Sequence, residues 1–539
     1  MITKTEFQKV LEHLEFTKDL SDVWVKTFDS DRFLLKVDYA NELFIYPVEI
    51  KVNGHQTCNF SANENFVVFE CVHRLLEKGY SPAHIELERP IKVGHGASGG
   101  RLDIWVKDNN GKSLLIIECK TAGKEFENAW KATLEDGGQL FSYANALDSK
   151  TPFVALYASD WNGVEVVSDY RLVSLQDNED FLNTLTKEAL SFKKAATVKD
   201  RFNAWVKTYQ QDFTTRGLFE PDIAAYTIGK NKYSIADLKE VDGVEIQRKY
   251  HEFATILRQH NVSGHENAFD KLVNLFLAKI VDENENPVEL KFYWKGAAYD
   301  DVFSLTDRLQ FLYKRGMEKF LKETVTYIDN HDIENAFRLF RKDATKRTIL
   351  DYFRQLKFFT NNDFAYIDVH NEKLFHQNAT VLLKVVRMLQ DIRLQTQEQN
   401  QFLGDLFEGF LDKGVKQSEG QFFTPTPIVR FLISSLPLEF LITKSTKPPR
   451  VIDYACGAGH FLNEYCHQIF PFVRRKHSLI NEKGIELVPG KEIFQQYYAA
   501  VTGVDKEYRL SKVSKVSASM YGQDRSEERR VGKECRSRW

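Results

Sequence analysis

Cysteine is scarce in this chain and spaced for little beyond free thiols. The six are Cys58, Cys71, Cys119, Cys456, Cys466 and Cys535, with no close CxxC pair and no histidine cluster at zinc spacing. That excludes a disulfide scaffold and a zinc module, and fits reduced thiols in a cytoplasm. Long apolar runs are also missing: none approaches a membrane span, and the start, MITKTEFQKVLEHLEF, is polar and helical without an apolar signal core. A soluble protein, neither exported nor membrane-bound, is the expectation. Charge of one sign is lacking as well. A net charge of -3 gives no global attraction to DNA, so any nucleic-acid binding has to come from local basic patches. No GxxxxGK(S/T) occurs, which argues against a P-loop motor.

What is present is a globular composition, 43% hydrophobic and 28% charged, over 539 residues, too long for one core. Length predicts roughly three or four domains. The stretch that organises the rest is residues 101–120, RLDIWVKDNNGKSLLIIECK. Two β-rich runs flank Asn110-Gly111, a pair that supplies the positive φ angles of a tight hairpin. A two-residue turn pairs Asn109 with Lys112 and, counting outward, sets Asp103 opposite Glu118 and Arg101 opposite Lys120, all on one face. The other face carries Leu102, Ile104, Val106, Leu115, Ile117 and Cys119, core material by the period of two. Facing carboxylates repel, and a divalent cation with oxygen ligands, such as Mg²⁺, is the obvious compensation.

Asp103…Glu118-Cys119-Lys120 resembles the D…ExK motif of the PD-(D/E)xK nucleases. Gln139-Leu140-Phe141-Ser142-Tyr143 resembles the QxxxY motif that follows it in nuclease domains of restriction enzymes. The resemblance implies that Asp103 and Glu118 hold Mg²⁺, that Lys120 assists the nucleophile, and that Gln139 and Tyr143 support the site from one helix face. A surface hairpin with cross-strand ion pairs would carry the same triplet. The register, the apolar opposite face and the QxxxY together favour the nuclease. Glu70, in NFVVFECVHRLLEKGY, stands where such domains often add another acid, and reads equally well as a solvated helix charge.

In chain order, residues 1–60 carry strand-like runs without a nameable motif. Residues 61–178 carry the nuclease elements and the strand Phe153-Val154-Ala155-Leu156-Tyr157. Just before the hairpin, residues 94–99 spell GxGxxG, but the motif enters a strand, whereas a dinucleotide fingerprint leaves one and opens a helix; it is read as a loop. Residues 179–400 turn helical. Ser263-Gly264-His265-Glu266 forms a capping box, followed by Phe269, Leu272, Val273, Phe276 and Ile280 at helical spacing. Such stripes are core. The segment resembles the helical connector of single-chain restriction-modification enzymes.

The second motif group lies in 401–524. Gln421-Phe422-Phe423-Thr424-Pro425 precedes Val451-Ile452-Asp453, a strand end, and Cys456-Gly457-Ala458-Gly459, a glycine turn into a helix. Glycines let a ligand approach the backbone, and an acid at a strand end binds an amine or hydroxyl. The pattern resembles the DxxCGxGxF motif of N6-adenine DNA methyltransferases, with their preceding FxTP-like segment. That resemblance implies S-adenosylmethionine contacts from Phe423, Thr424 and Pro425, an amine contact from Asp453, the turn from Cys456, Gly457 and Gly459, packing from Phe461, and ribose binding by Asp505. Asp505 lies further from the turn than the usual roughly 20 residues, so residues 466–491 read as an insertion.

Residues 525–539, RSEERRVGKECRSRW, are unlike anything upstream and look like a translated sequencing-library adapter. They hold six basic and three acidic residues, so without them the net charge is -6. An adenine methyltransferase of this type needs a later (N/D)PP(Y/F) motif to hold the flipped base, and none occurs here. The expected fold class is therefore α/β multidomain: a PD-(D/E)xK nuclease α/β core, a helical connector and an incomplete Rossmann-like methyltransferase sheet. The whole resembles the bacterial type IIG restriction-modification enzymes, acting on double-stranded DNA with either a further target-recognition domain or a separate specificity subunit. The alternative is a methylation-only modification protein whose nuclease fold is a degenerate DNA-binding module.

Overall fold

The computed structural model describes residues 2–29, 32–91, 100–146, 151–184, 189–221, 223–229, 233–240, 243–262, 265–329, 333, 343–394, 424–477, 490–505 and 508–520. The GxGxxG loop, Ser263 and Gly264 of the capping box, Phe423 and the tail 525–539 lie outside them. The chain divides into two compact units, Met1–Lys232 with Lys295–Asp301, and Tyr233–Trp294 with Val302–Trp539.

The first unit is built around a helix that is apolar on almost every side. Helix α2 (Asn63–Lys78), which follows α1 (Phe7–His13), buries Phe66 through His73 without a break. A helix hydrophobic all round has to be enclosed. One layer comes from a four-stranded antiparallel sheet, β1 (Thr17–Lys18), β2 (Trp24–Phe28), β3 (Phe33–Asp38) and β4 (Leu43–Ile45), in that order. Phe7 joins the two by packing edge-on to Phe44, Phe60, Phe66 and Phe69 with ring centroids 4.8–5.8 Å apart.

The other layer is a six-stranded mixed sheet of β5 (Lys51–Val52), β6 (Ile85–Pro90), β7 (Arg101–Lys107), β8 (Ser113–Cys119), β9 (Phe153–Trp161) and β10 (Val166–Ser174). Its order is β10-β9-β8-β7-β6-β5. β8 and β9 run parallel, joined by α3 (Lys124–Asp136) and α4 (Gly138–Ala146), which pack back onto the sheet. A parallel pair needs such a crossover, and covering both faces is why all seven residues of β8 are buried.

In the second unit, α5 (Gly243–Gln259), α6 (His265–Glu285), α7 (Val302–Gly316) and α8 (Glu372–Gln390) form a helical layer. The stripe from Phe269 to Ile280 is buried in it. Next come α9 (Thr426–Ser434), α10 (Leu438–Lys444), β11 (Val451–Asp453), α11 (His460–Lys476), α12 (Gly490–Ala499), β12 (Val501–Gly503) and α13 (Tyr508–Met520). β11 and β12 pair in parallel. α11 packs against α9, α10 and α13, and α13 packs against α6. Among the described residues no single helix is long and apolar enough to cross a membrane.

Candidate active site and candidate cofactor site

The β7–β8 hairpin pairs Ile104 with Ile117, Trp105 with Ile116 and Val106 with Leu115. One further step sets Asp103 opposite Glu118, the register expected from sequence. The turn that produces it is different. Asp108 and Lys112 close a three-residue loop through Asp108 N–H to Lys112 O at 2.8 Å, with Gly111 at φ +75°. The Asp108 carboxylate accepts from the amides of Asn110 and Lys112, at 2.9 and 2.8 Å, and fixes that loop. The extra loop residue shifts the pairing to Lys107 opposite Ser113, and a bulge at Leu114 shifts it back. The expected two-residue turn is therefore corrected, while the site register stands. Ile104, Val106, Leu115, Ile117 and Cys119 join the core cluster of α2, and Leu102 is buried as well.

Asp103, Glu118 and Lys120 come together at this end of the strands. Cys119 N–H donates to Asp103 Oδ2 at 2.8 Å. Lys120 Nζ donates to Glu118 Oε1 at 2.8 Å, to Cys119 O at 2.9 Å and to Glu64 Oε2 at 3.3 Å. Burial raises the Asp103 carboxyl well above its ordinary value and the Glu118 charge adds to it, with Lys120 opposing. Glu118, 3% exposed, is raised by burial against the same opposing charge. Burial alone would lower the Lys120 ammonium, but Glu118 and Asp103 outweigh it and hold it above its ordinary value.

Gln139 Nε2 donates to Tyr143 Oη at 3.1 Å on α4. The Tyr143 phenol is pushed up to about 12 by burial and then by the charges of Glu118 and Asp103, so Tyr143 lies within reach of the field of both carboxylates.

Glu70 does not. Its carboxylate is buried, accepts from Tyr157 Oη at 2.6 Å and pairs with Arg74 at 2.9 Å. It is neither solvated nor at the site, because the α2 face it occupies points into the core. Sequence reasoning missed Glu64, six residues earlier in the first turn of α2, which reaches Lys120 instead. An acid at a helix N-terminus was the available signal, but it also has an ordinary reading through the helix dipole.

Glu118 Oε2 is buried without a hydrogen-bond partner. Such an acceptor is costly unless something occupies it. Beside Asp103 it makes a two-carboxylate oxygen set, which fits Mg²⁺ completing its shell with water or phosphate. Among the described residues no group of three or more His, Cys, Asp and Glu is arranged to hold a metal by itself.

In the second unit β11 pairs Asp453 with Gly503, and Val504 N–H donates to Asp453 O at 2.7 Å. The glycine turn follows directly. Ala455 N–H donates to Asp453 Oδ1 at 3.1 Å, and Gly457 N–H to Asp505 Oδ2 at 3.0 Å. Gly457 and Gly459 adopt φ +50° and +86°, the latter at the N-cap of α11. A Cβ on Gly459 would meet Ser514 Oγ at 2.5 Å. Burial, then the charges of Asp505 and Asp453, lift the Cys456 thiol to about 11, so both acids flank the turn. Phe461 packs against the surrounding core. Desolvation lowers the pKa of the half-buried His460 ring, an effect opposed by a hydrogen bond to the backbone of Thr424, so that residue reaches the turn. Pro425 caps α9. Phe423 is outside the described residues, and the proposed insertion comprises most of α11, residues 478–489 outside the description, and the start of α12.

Residues 398–498 match the N6_Mtase family, described as N-6 DNA Methylase. No curated protein matches the chain. Two solved structures are similar: a cryoEM structure of a DrdV–DNA complex, at 12% identity, TM-score 0.24 and coverage of 86% of this chain and 36% of that one; and the type IIG restriction endonuclease BpuSI, at 13% identity, TM-score 0.21 and coverage of 80% and 38%. The chain thus spans little more than a third of either structure's length.

Proposed function

We propose that this chain belongs to a restriction-modification system, joining an Mg²⁺-dependent DNA endonuclease in the first unit to the cofactor-binding part of a site-specific adenine-N6 DNA methyltransferase in the second. The observation that carries the nuclease is the convergence of Asp103, Glu118 and Lys120, with Glu118 Oε2 buried and reached by no hydrogen-bond donor. The methyltransferase rests on the family match over residues 398–498 and on a glycine turn flanked by Asp453 and Asp505.

Mg²⁺, held by Asp103 and Glu118, would polarise a DNA phosphate and acidify a water. Lys120 supplies a fixed positive charge beside these carboxylates, where it can orient a water and balance charge building on the phosphate. The Gln139–Tyr143 pair presents neutral polar groups along one helix face, limiting where the DNA backbone sits. In the other unit, S-adenosylmethionine would supply a methyl group for adenine N6. Asp453 and Asp505 offer acceptors to its amine and ribose hydroxyls, while the cramped Gly459 keeps the turn tight. Adenine has to leave the duplex to be modified, so the DNA partner is double-stranded with one base extruded.

The nuclease is tested by nicking of supercoiled plasmid with Mg²⁺. Asp103→Asn and Lys120→Ala are expected to abolish nicking; Asp103→Asn keeps the melting temperature near wild type, whereas Lys120→Ala lowers it by stripping the buried Glu118 of its cation. Either variant nicking at the wild-type rate overturns the site. If the wild-type chain does not nick but the protein still methylates DNA, the first unit is a degenerate binding module. Asp453→Ala is expected to weaken S-adenosylmethionine binding, followed by calorimetry, about tenfold or more, as for loss of a charged hydrogen bond.

A further inference from the structure

In the second unit α13 has a different neighbour on each side. On one side it carries serines where a packed helix ordinarily carries apolar groups: Ser514 and Ser517 are both buried there. Ser514 lies against the glycine turn, with its Oγ 2.5 Å and its Cβ 3.3 Å from the place a Gly459 Cβ would take. The same hydroxyl is close enough to Cys456 to offset part of the rise in its thiol. Ser517 Oγ accepts from Asn463 Nδ2 of α11 at 2.9 Å. Side chains this small let the helix come up against the turn. The other side points into the helical layer. Residues two apart on a helix do not face the same way, so Lys512 leaves α13 on the side away from Ser514. Its ammonium donates to Tyr313 Oη of α7 at 3.0 Å and to Asn274 of α6, and lies 4.9 Å from the centre of the Tyr313 ring. Arg509, one turn earlier, pairs with Asp270 of α6 at 2.9 Å. Contacts to two helices from a single turn of α13 fix where that helix sits along them.

We propose that the helical layer regulates the cofactor turn through α13, with Ser514 as the positioning residue, a proposal that rests on the cofactor-site reading above: α6 and α7 fix α13 through Lys512 and Arg509, and α13 fixes Gly459 through Ser514. A helix is a rigid element, and a displacement made on one side of it appears on the other. Repacking of α6 and α7 therefore changes how closely Ser514 presses on the turn, and with it the affinity for S-adenosylmethionine.

The test uses the full chain with Gly459→Ala, Ser514→Ala, Lys512→Met and the double variants Gly459→Ala/Ser514→Ala and Ser514→Ala/Lys512→Met. S-adenosylmethionine affinity by calorimetry and the melting temperature are the two readouts. Ser514→Ala removes the atom at 2.5 Å and leaves the one at 3.3 Å, so it should restore part of the affinity that Gly459→Ala loses. Lys512→Met should weaken binding about fivefold or more, the low end of coupling between separate sites. In the Ser514→Ala background Lys512→Met should change affinity no further, because its effect runs through that contact. Tyr313→Phe removes one acceptor of Lys512 with little change of volume; it carries the same expectation in smaller measure where Lys512→Met does not fold. A Lys512→Met chain that melts lower but binds the cofactor as the wild type does makes the contact structural and overturns the proposal. A Gly459→Ala/Ser514→Ala chain that binds no better than Gly459→Ala overturns it too. A wild-type chain that binds no S-adenosylmethionine removes the cofactor reading and this inference together, a result distinct from both.

Discussion

His73 shows what a single residue costs when the fold needs its shape more than its charge. Its ring is 1% exposed between Phe16 and Phe28, with Nε2 unpartnered. Burial, then the charges of Lys26 and Arg74, lowers its pKa from 6.5 to about 3. The folded state therefore holds it neutral while the unfolded state takes a proton below 6.5. Its contribution is fully present above that value and is lost as pH falls toward 3, by as much as ~5 kcal/mol for a shift from 6.5 to about 3. His73→Leu keeps an apolar group there and removes the titration, so the acid-unfolding midpoint followed by circular dichroism should move down by about a pH unit. An unmoved midpoint would mean that other groups control acid stability. Glu118 presents the opposite case. Its Oε2 is buried without a hydrogen-bond donor, and the charge that offsets the carboxylate comes from Lys120 at 2.8 Å.

At the scale of elements, glycine carries the second site. Gly459 sits at φ +86° with Ser514 against the place a Cβ would take. Gly459→Ala should cost about 1–2 kcal/mol for the left-handed conformation alone, with the clash in addition. The measurement is urea unfolding together with S-adenosylmethionine binding; an alanine variant that binds as well as wild type would mean the turn does not cradle the cofactor.

The same scale decides how much was legible. Period-two alternation through Leu102, Ile104 and Val106 gives the buried face of β7, because one face of that strand meets a continuous apolar core. The Asn110-Gly111 pair announces a hairpin but suits a two-residue or a three-residue loop equally. Only the Asp108 side chain bonding Asn110 and Lys112 selects the longer one, and the Leu114 bulge that compensates leaves no mark in the sequence. The D…ExK spacing was readable because its residues share one hairpin. Glu64 was not, since it reaches Lys120 from 56 residues away in the chain, a distance bridged only by tertiary packing. Glu70 was misplaced for a related reason: α2 is enclosed on all sides, so helical position could not say which acid escapes the core.

For the molecule as a whole, the two candidate sites fall in different compact units, with Asp103, Glu118 and Lys120 in the first and Asp453, Gly459 and Asp505 in the second. A net charge of -3 supplies no long-range pull on DNA, so under the proposed function recognition is built locally at each site. Each ligand should then protect the residues that hold it. A ligand at 100 times its Kd adds about 2.7 kcal/mol to whatever it binds in the folded form. Hydrogen exchange with Mn²⁺ should slow amides around 101–120 and the first turn of α2, and Asp103→Asn should abolish that effect. S-adenosylmethionine should slow amides around 453–461 and 501–505, and Asp453→Ala should abolish that one. Gly457 N–H is the sharpest reporter, because its present acceptor, Asp505, is the acid expected to turn to the ribose. A cofactor that protects other helices of the second unit but leaves 453–461 exchanging at the free rate would place its site elsewhere and break the link between the glycine turn and methyl donation.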